Sequence, residues 1–195
     1  MKLFKTQISL LLFSISGLVF AANDQSYDPN KDARIRLFGQ NGKPTLMTSD
    51  INCETAPKGQ KVNVGGGLGD AFKSFTGTSS NKTLGMPETQ SSQSLKTMNG
   101  LLSKAFYKEY AVTAGQPVNV SGALIGTMVE TPSHTLYVKG CSSTVSFLPQ
   151  AGHDYEVLGQ MHGRKCTVVV KEVINKNDQI IYQDVQTANE FKCKK

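Results

Sequence analysis

Three histidines, His134, His153 and His162, and four cysteines, Cys53, Cys141, Cys166 and Cys193, are the side chains in this 195-residue chain best suited to acid–base, nucleophilic or metal chemistry. His153 stands next to Asp154, and a carboxylate that orients an imidazole is what a general base needs. All three histidines, however, fall in segments that read as turns, where a histidine is ordinarily a surface residue. His162 and Cys166 lie four apart, a spacing that zinc sites use, with His153 as a third donor. No second paired motif accompanies them, so the pattern weighs against a metal. The chain has neither a Gly-x-Ser-x-Gly elbow nor a His-Glu-x-x-His helix motif.

Gly65-Gly66-Gly67-Leu68-Gly69-Asp70 invites comparison with phosphate-binding loops and fails it. A Walker loop places Lys-Ser/Thr after its last glycine, where this chain has Asp70-Ala71, and the dinucleotide fingerprint requires a sixth-position glycine where Asp70 stands. The run reads instead as a turn into a short helix capped by Asp70, with Ala71, Phe72 and Phe75 packing inward. The expectation is a protein with no catalytic residue, no metal and no cofactor. A hydrolase or metal-dependent enzyme of unknown specificity, built on His153 or His162, is the alternative.

An even number of cysteines argues for two disulfides if the chain is exported, and its first residues have the form of an export signal. Lys2 and Lys5 precede an apolar run from Ile8 to Phe20, and Val19-Phe20-Ala21 fits a cleavage site after Ala21. Removing 21 of 195 residues leaves 174, and the loss of Lys2 and Lys5 lowers the net charge from +6 to +4. That excess is small and dispersed, which argues against a nucleic-acid partner. No second apolar stretch approaches the roughly 20 residues of a membrane helix, so the mature protein is expected to have no transmembrane segment. Localisation is expected to be periplasmic or secreted.

The elements that must position these residues read as short strands. Between Cys141 and Glu172, Val145 and Phe147, then Tyr155 and Val157, then Cys166, Val168 and Val170 alternate with polar residues, the period of a half-buried antiparallel sheet. Turn residues at Pro149 to Gly152 and Met161 to Arg164 make this a three-stranded meander. Cys141 and Cys166 share the apolar parity. In a flat meander their strands lie roughly 9 to 10 Å apart, whereas a disulfide needs Cα atoms within about 7 Å. A Cys141–Cys166 bond therefore requires the strands to divide between two sheets. It would close 26 residues and stabilise by about 3.5 kcal/mol. Cys53 with Cys193 is then the favoured second bond.

Further strands are read at Arg34 to Phe38, at Thr45 to Thr48, returning beside the first across Asn41-Gly42, and at Lys61 to Val64. The aromatic density from Phe106 to Val112 makes a strand there, followed by Val118 to Val120. A hairpin of 123–130 and 135–139 and a pairing of Val168 to Ile174 with Gln179 to Val185 complete the set. Strands at such spacing indicate a single antiparallel β-sandwich, immunoglobulin-like or transthyretin-like, over 34–195. A disordered lead over 22–33 precedes it. Thr76 to Gly100 is a long polar loop, the place to look for a binding surface. Asn81, Lys82, Met86 and Glu88 are its candidate contact residues, and Asn81-Lys82-Thr83 is formally a glycosylation sequon.

RIRLFGQNG at 34–42, GMPET at 85–89, FYKEY at 106–110, AGQPVNV at 114–120 and SFLPQAGHDYEV at 146–157 together resemble a group of small exported proteins of Gram-negative bacteria. The last motif is similar, more loosely, to closing strands of secreted β-sandwich domains. The resemblance implies export and a single domain, and carries no catalytic residue. The function expected is non-enzymatic: binding of an unknown protein or envelope component. A lysozyme inhibitor fits poorly, because a basic target calls for an acidic partner. The polar lead also lacks the alternating apolar residues of a pilus donor strand.

Overall fold

Period-two alternation is realised as two five-stranded sheets packed face to face. The structure, a computed structural model, describes residues 26–40, 43–66, 80–95, 104–123, 141–162 and 165–194. In chain order the strands are β1 (Asp32–Gly39), β2 (Thr45–Ser49), β3 (Gln60–Val64), β4 (Phe106–Thr113), β5 (Val118–Ala123), β6 (Cys141–Phe147), β7 (Asp154–His162), β8 (Lys165–Lys176), β9 (Gln179–Asp184) and β10 (Ala188–Asn189). A single described helix, α1 (Gln90–Ser94), lies between β3 and β4. One sheet has the order β4-β1-β7-β8-β9 and the other β10-β6-β5-β2-β3.

The sandwich forms because each central strand has one wholly apolar face. Ala33, Ile35 and Leu37 of β1, Val157 of β7, and Val118 and Val120 of β5 are fully closed to solvent and meet Met47, Phe147, Val168 and Val170 in one core. At about 25 cal/mol per Å² of apolar surface removed from water, this layer supplies the main drive to fold. The sheets come close at one corner: a Cβ at Gly39 would stand 2.4 Å from the Val64 carbonyl oxygen, so only glycine lets β1 and β3 meet there.

The pairing departs from the expected antiparallel pattern at one place. β1 is antiparallel to β4 but parallel to β7, with Arg34 beside Asp154 and Arg36 beside Glu156. Two local expectations are corrected. β2 does not return beside β1: beyond an isolated Gln40–Lys43 bridge the chain crosses to the other sheet, where β2 pairs with β3 and β5. Thr45 is fully buried and its hydroxyl donates to the Phe38 carbonyl, which fixes the crossing. Nor do β6, β7 and β8 form a meander. β7 and β8 are a hairpin in the first sheet, whereas β6 joins β5 in the second. The alternation of β6 suits either sheet equally, and only long-range pairing decides between them. This division is the one that a Cys141–Cys166 bond requires. Cys166 packs against the core and is disulfide-bonded, while the side chain of Cys141 lies outside the described residues.

Cys53 and Cys193 are bonded, with Cα atoms 5.4 Å apart. The bond joins the loop after β2 to the C-terminal tail over a separation of 140 residues, which the chain-entropy account values at about 5 kcal/mol. The β8–β9 turn places Asn177 and Asp178 at φ of 52° and 62°, the two left-handed positions of a type I′ hairpin. Of the lead, Ser26 to Lys31 forms a turn closed by Asp28 and Asp32, and β1 opens at Asp32. The signal segment, the Asp70 helix, the expected hairpin beyond Ala123 with His134, and the tip at 163–164 lie outside the described residues.

Candidate functional site

The outer face of the first sheet carries charge where a sandwich ordinarily meets water. Residues of β1 that alternate with the core set, Arg34 and Arg36, face outward beside Asp154 and Glu156 of β7 and Glu109 of β4, in direct register. Residues 80–95 run across them as a strap. Arg36, Glu109 and Glu156 are consequently at most 1 % exposed.

Burial of three ionised groups is tolerable only if every polar atom finds a partner. Arg36 donates from Nε and Nη2 to Glu109 Oε1 at 3.0 and 2.6 Å, and from Nη1 to Glu156 Oε1 at 2.7 Å. Its Nη2 also donates to the carbonyls of Met86 and Pro87 at 3.1 and 2.9 Å. Glu109 Oε2 accepts from the Thr83 hydroxyl at 2.8 Å, from the Leu84 amide, and from the Met86 amide at 3.2 Å. Glu156 Oε1 accepts from the Thr89 hydroxyl at 2.7 Å, and its Oε2 accepts from the Tyr182 hydroxyl at 2.9 Å. The Arg36 guanidinium also lies 4.8 Å from the Tyr107 ring centroid.

Arg34 and Asp154 form a second pair, bidentate at 2.7 and 2.8 Å, and Arg34 Nη1 donates to the Leu84 carbonyl at 3.0 Å. Thr89 links the network to local structure. It is the N-cap of α1, its hydroxyl accepting from the Ser92 amide at 3.1 Å while Ser92 Oγ accepts from the Thr89 amide at 2.9 Å. Leu95, just past α1, packs with Phe38, Leu158 and Ala105 in a small apolar cluster on the same face.

The electrostatics follow from this burial. Desolvation lowers the proton affinity of Arg36, but the hydrogen bonds and charges of Glu109 and Glu156 outweigh it, so its pKa lies above the ordinary value. Burial raises Asp154 against the pull of Arg34. Burial, followed by the Glu156 charge, raises Tyr182. With all four oxygens of Glu109 and Glu156 already accepting from the protein, neither carboxylate is open to a substrate while the strap is seated.

The candidate loop residues divide between the two sides of this strap. Asn81 Oδ1 accepts from the Tyr107 amide at 3.0 Å, and the Lys82 backbone bridges Tyr107 and Glu109. Met86 is buried, its amide on Glu109. Glu88 is exposed and accepts from Gln93 Nε2 at 3.3 Å. The Lys82 side chain, Glu88, Gln90 and Gln93 thus form the outer side of the strap. Thr76 to Ser79 and Lys96 to Gly100 lie outside the described residues.

His153 does not engage Asp154. Successive residues at the start of β7 point to opposite faces, so Asp154 meets Arg34 whereas His153 Nδ1 lies 2.7 Å from Glu172 Oε1 with its ring stacked on Tyr155. His162 stands opposite Lys165 at the exposed end of the β7–β8 hairpin, and Cys166, being in a disulfide, offers no thiolate. Among the described residues no three His, Cys, Asp or Glu side chains gather as a metal site.

Sequence reasoning missed Arg34, Arg36, Glu109, Asp154 and Glu156 as a unit. The available signal was charge at the outward positions of strands that otherwise read as buried. Compared with known protein families, curated proteins and solved structures, the chain matches none of them.

Proposed function

We propose that this is an exported, non-enzymatic binding protein of the Gram-negative envelope, periplasmic or secreted, whose recognition surface is the outer side of the strap. The observation that supports this reading is the way the buried network holds residues 83–89 from beneath, at six backbone or hydroxyl groups, while Lys82, Glu88, Gln90 and Gln93 face solvent. A loop already fixed in one conformation loses little freedom on binding, which favours affinity. The Cys53–Cys193 bond suits an oxidising compartment. Among the described residues no helix is long and apolar enough to cross a membrane.

The test is capture of envelope components by the mature chain and by a Lys82→Ala/Glu88→Ala/Gln93→Ala variant, at low and high salt. Loss of a specific captured component with an unchanged unfolding midpoint supports the surface; equal capture by both proteins refutes it. The enzymatic alternative rests on His153 and its Glu172 partner. A hydrolase activity lost in His153→Ala would replace the binding reading.

A further inference from the structure

Among the described residues, few contacts hold the C-terminal tail to the second sheet. After β9 the chain leaves the first sheet at Val185, whose amide donates to the Val170 carbonyl at 3.1 Å, and crosses to the edge of β6. There β10 adds only two residues, Ala188 opposite Ser146 and Asn189 opposite Val145. Two residues on, Asn119 of β5 grips the tail as a strand would: its Nδ2 donates to the Phe191 carbonyl and its Oδ1 accepts from the Phe191 amide, both at 2.9 Å. The last anchor is the bond from Cys193 to Cys53.

Burial contributes little to this hold. Every residue from Ala188 to Lys192 is exposed, including Phe191 at 38 %. Each backbone hydrogen bond is worth only about 1 kcal/mol net. The covalent bond therefore supplies most of the tail's persistence, by keeping its end at high effective concentration beside β5. Cys53 is itself exposed, in the loop after β2, whereas Cys166 is half-buried against the core. Attack on a disulfide depends on access to its sulfur, so an external thiolate reaches Cys53 before Cys166.

We infer that Cys53–Cys193 is a reducible latch: opening it releases residues 186–194 from the second sheet while the sandwich stays folded, and uncovers the edge of β6. The co-reactant is a dithiol. One of its thiolates attacks Cys53 Sγ, the S–S bond breaks and Cys193 leaves as a thiolate that takes up a proton. The second thiol then resolves the mixed disulfide, freeing Cys53 as a thiol and leaving the reductant oxidised by two electrons. The freed edge presents backbone groups at Val145 and Ser146 that an extended segment can pair with, as β10 does.

Brief treatment of the intact mature chain with dithiothreitol, followed by alkylation and amide hydrogen exchange, tests this. Cys53 and Cys193 should be alkylated before Cys166. Exchange over 186–194 and at the β6 edge should then rise by roughly tenfold or more relative to β1, β4 and β7, which stay protected. Asn119→Ala, which removes the Phe191 grip, should raise exchange of the tail further in the reduced protein. Alkylation of Cys166 as early as Cys53, unchanged exchange after reduction, or loss of protection throughout the sandwich would each overturn the latch.

Discussion

Arg36 and Glu156 lie side by side on parallel strands 120 residues apart in sequence, joined at 2.7 Å with both side chains closed to water. A buried charge that loses its counter-ion costs far more than the pair contributes. Arg36→Met should therefore lower the stability of the protein by about 3–5 kcal/mol in urea unfolding. Converting the carboxylates as well, in Arg36→Met/Glu109→Gln/Glu156→Gln, should restore part of the loss. A triple variant as unstable as the single one would show that shape rather than charge governs the site.

Thr89 is both the cap of α1 and a donor to Glu156. Thr89→Val keeps its bulk and removes both roles, and should cost about 1–2 kcal/mol. The same substitution should raise amide exchange over 83–95 and leave the second sheet as it was. A uniform change across the molecule would contradict the local role of this cap.

Tyr107, Tyr155 and Tyr182 all have pKa values raised above 10.0, chiefly by burial. A raised folded-state value means that the native protein holds the phenolic proton more tightly than the unfolded chain. The stability contributed is whole below pH 10 and is lost as pH climbs through the folded-state values. Absorbance titration should show these three tyrosines ionising later than free tyrosine, with unfolding at alkaline pH. Tyr182→Phe should remove its share of that alkaline sensitivity, at the cost of one hydrogen bond to Glu156.

Asp178 occupies the second left-handed position of the β8–β9 turn. Asp178→Gly creates the Asn-Gly pair preferred in that turn and should raise stability by about 0.5–1 kcal/mol, visible as a shifted unfolding midpoint. By contrast, Gly39→Ala should lower stability by about 1–3 kcal/mol, because its methyl meets the Val64 carbonyl.

Local patterns revealed what depends on local geometry. Alternation placed β1, β3, β4, β5 and the β7–β8–β9 succession, and turn chemistry located the bend at Asn177 and Asp178. Partner choice was hidden, because Thr45 to Ser49 alternates equally well beside β1 or in the opposite sheet, and β6 equally well beside β7 or β5. The network was hidden for the same reason. Arg34-x-Arg36 and Asp154-x-Glu156 read as charged outward positions until a parallel pairing brings them into register. The motifs RIRLFGQNG, GMPET, FYKEY and SFLPQAGHDYEV each supply members of that one network, a unity that appears only once the strap is seated.

The parallel β1–β7 pair also orders events in time. β1 is the first of the described strands to leave the ribosome, yet its neighbours are β4 and β7, whose residues begin at 106 and 154. Its parallel edge, and the Asp154 and Glu156 partners of its arginines, are supplied only once the chain has been made past residue 154 of 195. Loops of this length close slowly and at an entropic cost that later contacts must offset. Completion of the first sheet thus waits for β7, and until then β1 has β4 alone as its neighbour.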